Sequence, residues 1–259
     1  MDELIKQVVA KKLRARGKIY KLSENSRLST QDFGYANKIA GRIYSFVKPL
    51  MSRAADRTVY QKILAVVLKL VRSDEVHELG QLRIGYGNIL AIKGLQFNAR
   101  QSWRGFVGWN TEVVCHTADA SIDITVPATS TWLFKRYDPR VSKLAVWYEI
   151  WKIPFELDEE PARLSTKELF FTPGEKSDAR KAGFSIAGWD NCLIVVVGAV
   201  QSYLWESSGQ GDFLTANRSF MASGIIEVFG LREGKLLQDR VEEKSNCPPP
   251  EHDEGVDWD

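Results

Sequence analysis

The chain is predicted to be an α+β protein, with N-terminal helices followed by an antiparallel β-sandwich or open barrel. Three observations predict this. Apolar residues recur at helical spacing as far as Arg72, β-branched and aromatic runs take over after Gly80, and no helical pattern separates those runs. Strands that follow one another without intervening helices pair antiparallel, because a parallel pair needs a long crossover between them.

The first element is an amphipathic helix. Leu4, Ile5, Val8, Val9 and Leu13 fall on one face, with Lys6, Lys11, Lys12, Arg14 and Arg16 largely on others, up to Gly17. Ser23 to Ser29 reads as a polar connector. Thr30 then caps a second helix with Gln31 and Asp32 in its first turn, since a hydroxyl can accept from an orphan N–H and an acid suits the positive end of the dipole. Phe33, Ala36, Ala40, Ile43 and Val47 form its stripe, and Pro49 ends or kinks it. Gly34 and Gly41, seven apart, read equally as a close-approach face or as two tolerated glycines at about 1 kcal/mol each. Asp56 or Thr58 caps a third helix carrying Val59, Ile63, Val66, Val67 and Leu70.

Strands are predicted at Leu82–Tyr86, Ile89–Ile92, Glu112–His116, Ser121–Val126, Lys143–Phe155, Leu169–Thr172, Cys192–Trp205 and Arg218–Phe229. In the fifth of these, residues 146, 148, 150 and 152 oppose 147, 149, 151 and 153. Glu149 sits among aromatics, so one face is expected to be wetter than the other. The organisation is therefore a basic helical segment over 1–79, a sandwich-like domain over 80–239 and an acidic disordered tail over 240–259. From Arg240 the tail holds 7 acids against 2 bases and a Pro248-Pro249-Pro250 run. Trp258 within it is a docking anchor or a terminal aromatic without a role.

Charge is distributed unevenly. Residues 1–72 hold 16 Lys and Arg against 5 Asp and Glu, a net of +11, whereas 73–259 hold 19 against 28, a net of −9. Either the basic part meets nucleic acid or another acidic surface, or it docks on its own acidic body. No secretory signal opens the sequence, and the longest apolar run, Leu193 to Val200, is far short of the roughly 20 residues of a membrane helix. No membrane insertion is expected. Cys115, Cys192 and Cys247 lack disulfide or zinc spacing, and read as free thiols in a cytoplasmic protein.

The search for chemistry yields exclusions. His77, His116 and His252 stand beside no nucleophile signature, and Cys115 and His116, adjacent on a strand, point to opposite faces. Gly85-Tyr86-Gly87 and Gly209-Gln210-Gly211 lack what a phosphate loop requires, and Asp158-Glu159-Glu160 reads as a solvated loop. No catalytic residue, cofactor site or metal site is assigned, and the chain is expected not to be an enzyme. The positive signal is Arg100, Trp103, Arg104 and Trp109, which bring cations and aromatics together in a loop, as single-strand nucleic-acid sites do. Against it, tryptophans on β-rich chains fill cores more often than they form platforms.

The order of features resembles uncharacterised families, known mainly from Bacteroidota, that are described as domains of unknown function. The residues that carry the resemblance are Ser26-Arg27-Leu28-Ser29-Thr30, Asp32-Phe33-Gly34-Tyr35-Ala36, Arg53-Ala54-Ala55-Asp56-Arg57, Gly94-Leu95-Gln96-Phe97-Asn98 and Ile122 to Ala128, within roughly residues 15–230. It implies a layout and no activity. The functional expectation is thus a binding or assembly protein that meets a protein partner or another copy of itself through apolar helix stripes. The alternative is a nucleic-acid-binding protein that uses residues 1–72 for phosphate.

Overall fold

The computed structural model describes residues 23–51, 58–129, 138–206 and 211–237. The helix expected over Leu4–Gly17, the acidic tail, Asp56, Trp132, Cys247, His252 and Trp258 lie outside them. Two helices lead, α1 (Glu24–Met51) and α2 (Val59–Arg72), and a short α3 (Trp103–Val107) precedes ten strands. The order is that of an α+β fold, with helices first and antiparallel sheets after.

The strands are β1 (Glu112–His116), β2 (Ser121–Val126), β3 (Val141–Pro154), β4 (Ala162–Ser165), β5 (Leu169–Phe171), β6 (Arg180–Ser185), β7 (Cys192–Trp205), β8 (Asp212–Leu214), β9 (Met221–Arg232) and β10 (Lys235–Leu236). Seven form one sheet, ordered β10-β9-β7-β3-β4, with β5 on β3 and β8 on β7. The other three form a second sheet, β1-β2-β6. Every pairing is antiparallel.

The large sheet is covered on both sides. On one side, Trp151 and Ile153 of β3, Phe155 just beyond it and the odd-numbered residues of β7 from Leu193 to Ala199 meet Ala36, Ile39, Ile43 and Val47 of α1 and Ile63, Val67 and Leu70 of α2. On the other, even-numbered residues such as Val146, Ile150, Ile194 and Val196 meet Ile122, Ile124 and Val126 of the small sheet, with Trp103, Phe106 and Val107 of α3. Apart from Phe33, which is exposed, the apolar stripes of both helices are therefore spent inside the molecule. The face of β3 expected to be wetter is covered by helices at Trp151 and Ile153 and is part-exposed only at Lys143 and Trp147. Glu149 is buried there, and the Trp151 indole N–H donates to its carboxylate at 2.7 Å. Burial pushes the Glu149 carboxyl above its usual range, against the pull of that N–H and of Arg163.

Several local expectations are corrected. Helix α1 begins at Glu24, inside the supposed connector, because Ser23 is the cap: its hydroxyl accepts from Ser26 N at 3.2 Å. Thr30 instead bonds back to the Ser26 carbonyl at 2.7 Å within the helix. Pro49 stands two residues before the last residue of α1. Helix α2 has the expected bounds, although the Thr58 side chain makes no capping bond. A Cβ on Gly34 or Gly41 would meet nothing within 4 Å, so neither marks a close approach.

The predicted strands Leu82–Tyr86 and Ile89–Ile92 are 3-10 turns, at Ile84–Tyr86 and Ile89–Ile92. Buried Ile89 and Ile92 stand three apart, the period of that helix, and short apolar runs are ambiguous by pattern. Packing decides the matter. A Cβ at Gly87 would lie 2.0 Å from the Leu70 carbonyl oxygen, and one at Gly85 would lie 2.5 Å from the Phe155 ring.

Two carboxylates fasten this layer. Asp32 is buried and accepts from Gly80 N at 2.8 Å and Leu82 N at 3.1 Å. Asp74 accepts from the N–H groups of Val76, His77 and Arg83 and from the His77 ring. Burial raises the Asp74 carboxyl, but these donors outweigh it and hold it below the usual carboxylate range. The Asp158-Glu159-Glu160 loop is gripped through its backbone: the Arg42 guanidinium donates to the carbonyls of Glu156, Leu157 and Glu159, and Lys152 stands 3.4 Å from the Glu159 carboxylate.

Candidate binding surface

The four residues singled out in the sequence divide into an inside pair and an outside pair. Ser102 caps α3 by accepting from Gly105 N, and Gly108, at φ 72°, ends it in the left-handed conformation that glycine adopts without strain. That one turn swings Trp103 inward. Its ring is 4% exposed, lies edge-on to Tyr148 at 5.7 Å and covers Gly198, where a Cβ would come within 2.6 Å of it. Trp109 is 6% exposed and packs against Phe171 at 5.0 Å. Arg100 and Arg104 are exposed, with Arg104 on the Asn110 side-chain oxygen and Arg100 on Ser219. The guanidiniums face out while both indoles belong to the core between the sheets, so neither indole offers a face for stacking.

A different part of the molecule exposes aromatics beside a cation. Strand β7 runs past the helical layer, and its odd-numbered residues Gln201, Tyr203 and Trp205 continue the face that the helices cover further back. Register carries this face across neighbouring strands: Tyr203 pairs with Lys143 of β3 and Leu214 of β8, and Phe170 of β5 pairs with Ala145. Trp205 is 60% exposed and Phe170 is 45% exposed, while Leu214 and, on the opposite face of β8, Phe213 are exposed as well. Four of the eight exposed large hydrophobics among the described residues thus gather at one end of one sheet. Large contiguous apolar exposure marks interaction sites, whereas scattered exposure does not.

Charge sits inside the same cluster. The Lys143 ammonium lies 4.3 Å from the Tyr203 ring centroid and 5.5 Å from that of Phe170, and it is 3.2 Å from the Asp212 carboxylate. Ser142 donates to Asp212 at 2.9 Å, and with Lys143 it holds that carboxyl below the usual range. Phe170 and Tyr203 meet edge to face at 6.2 Å. The rings are held in place before any partner arrives, which reduces the ordering cost of binding.

The sequence contained part of this signal. The alternation that placed Tyr203 and Trp205 on one face was legible. That the helices stop short of them was not, because it depends on where α1 and α2 dock.

The remaining chemistry is structural. Cys115 is half-buried and Cys192 is buried, and both are free. Burial raises both thiols, Cys192 to about 12, which leaves them poor nucleophiles. His116 stands 3.4 Å from the Asp123 carboxylate on the neighbouring strand, and Cys115 faces the core on the opposite side. Among the described residues, no three His, Cys, Asp or Glu side chains group as a metal site. No helix among them is long and apolar enough to cross a membrane. Comparison with known proteins adds no relative: no family model matches the chain, and no curated protein matches it.

Proposed function

We propose that this chain is a non-enzymatic binding or assembly protein, and that a protein partner meets it at the sheet end built from Phe170, Tyr203, Trp205, Phe213 and Leu214. The observation that carries this reading is the concentration of exposed apolar side chains there, around a lysine already engaged with its own carboxylate. Aromatic anchors of this kind dominate protein interfaces. Apart from exposed Phe33, the apolar stripes of α1 and α2 are buried against the sheet, which leaves this end as the larger apolar exposure among the described residues. Free thiols at Cys115 and Cys192 support a reducing, cytoplasmic setting.

A photo-crosslinking residue at position 205, compared with one at exposed Lys38, tests this in cells. A discrete protein adduct formed from 205 and not from 38, and lost when Phe170 and Leu214 are changed to Ser, is the expected result. Equal labelling from both positions would sink the idea.

A second reading has one observation in its favour. Arg27, Lys38, Lys48, Lys69 and Arg72 are exposed on the helical layer, on the side away from the sheet, where phosphate could meet them. Size-exclusion chromatography at low salt, with light scattering for mass and ultraviolet absorbance for nucleic acid, separates the two. A nucleic-acid signal that disappears with added salt favours the second reading. Protein mass free of it favours the first.

A further inference from the structure

The small sheet has an edge that nothing among the described residues covers. Strand β1 pairs with β2 alone, and β2 in turn pairs with β6. Exposed edges are ordinarily protected by charged side chains, Lys above all, by Pro, by a bulge or by shortness. By that standard the other described edges are guarded: β6 carries Arg180 and Lys181, β4 carries Arg163, β10 has two residues, and β5 and β8 have three each. Five-residue β1 reads Glu112-Val113-Val114-Cys115-His116, with no Lys, Arg, Pro or Gly and with its one acid at the first residue.

Its orientation follows from one bond. Ile186 N donates to Ala120 O at 2.8 Å, so across the trans peptide the Ser121 N–H points away from β6, and along β2 Ser121 and Asp123 turn their polar groups toward β1. Those two pair with His116 and Val114. Val113 and Cys115 therefore aim their N–H and C=O groups at the open edge. Their side chains pack toward the core between the sheets, while Glu112, Val114 and His116 form the outer face, with Val114 39% exposed.

We infer that β1 pairs with β1 of a second copy, antiparallel about a two-fold axis at Val114, making one continuous six-stranded sheet. The hydrogen-bonding pattern is self-complementary in this register, since an imidazole N–H can donate to a carboxylate. Val114 meets its own copy, Val113 and Cys115 exchange four backbone hydrogen bonds with the partner subunit, and Glu112 faces His116 of the partner subunit twice, close to Asp123. A parallel pairing in register would set Glu112 against Glu112 and gain nothing from either charge. The inference rests on the assembly reading above but uses a different surface, and five residues of edge predict a dimer that dissociates on dilution.

Light scattering across a dilution series reads the mass, with Cys247→Ser throughout to remove the tail thiol. The wild-type mass should approach twice that of one chain at high concentration. V114K, which sets like charges on the axis at an exposed position, should stay at one chain. E112A, which removes the acceptor facing His116 of the partner subunit, should weaken the dimer about three- to tenfold.

Opposed residues of a non-hydrogen-bonded pair lie about 4.5 Å apart at Cα, close enough for a disulfide. V114C should therefore cross-link under mild oxidation much faster than V76C, a control at another exposed valine. Equal cross-linking rates overturn the β1 pairing. A dimer that survives V114K also overturns it while leaving the assembly reading intact, and the photo-crosslinking at position 205 decides that reading separately.

Discussion

The stretch from Arg100 to Trp109 and the end of the sheet around Trp205 hold the same kinds of side chain and use them in opposite ways. In the first, arginines alternate with tryptophans along the sequence, yet one turn of helix sends the indoles into the core and the guanidiniums into water. In the second, Lys143, Phe170, Tyr203 and Trp205 come from three strands far apart in sequence, and strand register gathers them on one open face. Nearness in sequence says little about a shared surface. Register, together with where the covering layer stops, says a great deal.

The widest separation between the two regions should appear in stability. Trp103→Ala removes a ring packed over Gly198 and Tyr148, and should cost about 3–5 kcal/mol in denaturant unfolding. A cost near zero would mean that the ring is not in the core. Next comes the anchor between the helical layer and the Gly80–Leu82 loop. Asp32→Ala leaves two N–H groups without their acceptor and should cost about 2–4 kcal/mol by the same measurement, with Asp32→Asn in between.

A third prediction concerns pH. The Asp74 carboxyl is held below its unfolded value, so its contribution is fully present above about pH 4 and is lost as pH falls through the lowered folded value. The stability gap between wild type and Asp74→Asn should be flat near neutrality and close at acid pH. A gap that widened on acidification would reverse the sign. Smallest of all, Trp205→Ser should change stability by less than about 0.5 kcal/mol, since the ring is mostly in water. It should instead remove a large share of the fluorescence that acrylamide quenches in the native state.

How legible each part was depended on how local its cause was. Strands β1, β2 and β7 have the bounds that alternation and apolar runs predict, and α2 follows from its stripe. Strands β4 and β6 carry little sequence signal because Arg163, Arg180, Lys181 and Gly183 dilute the pattern on short edge strands. The turns at Ile84–Tyr86 and Ile89–Ile92 read as strands in the sequence because a 3-10 turn and a buried strand share the same apolar composition. Their true shape is set by Gly85 beneath Phe155 and Gly87 against Leu70, contacts with distant parts of the chain. Asp32 reads in the sequence as a first-turn acid, but it lies more than two turns into α1, and its role in holding a loop 48 residues away depends on tertiary packing that no local pattern carries.

The Tyr35 hydroxyl reaches the Phe155 carbonyl across 120 residues of sequence, and that separation sets a timetable for synthesis. At about 5–20 residues per second, α1 emerges roughly 6–24 s before the strand that receives it. During that interval Ile39, Ile43 and Val47 have no sheet to lie on. The newborn chain therefore carries a sticky helix that the finished protein conceals, and a ribosome stalled before Val141 should hold a chaperone-bound, protease-sensitive product rather than a folded half.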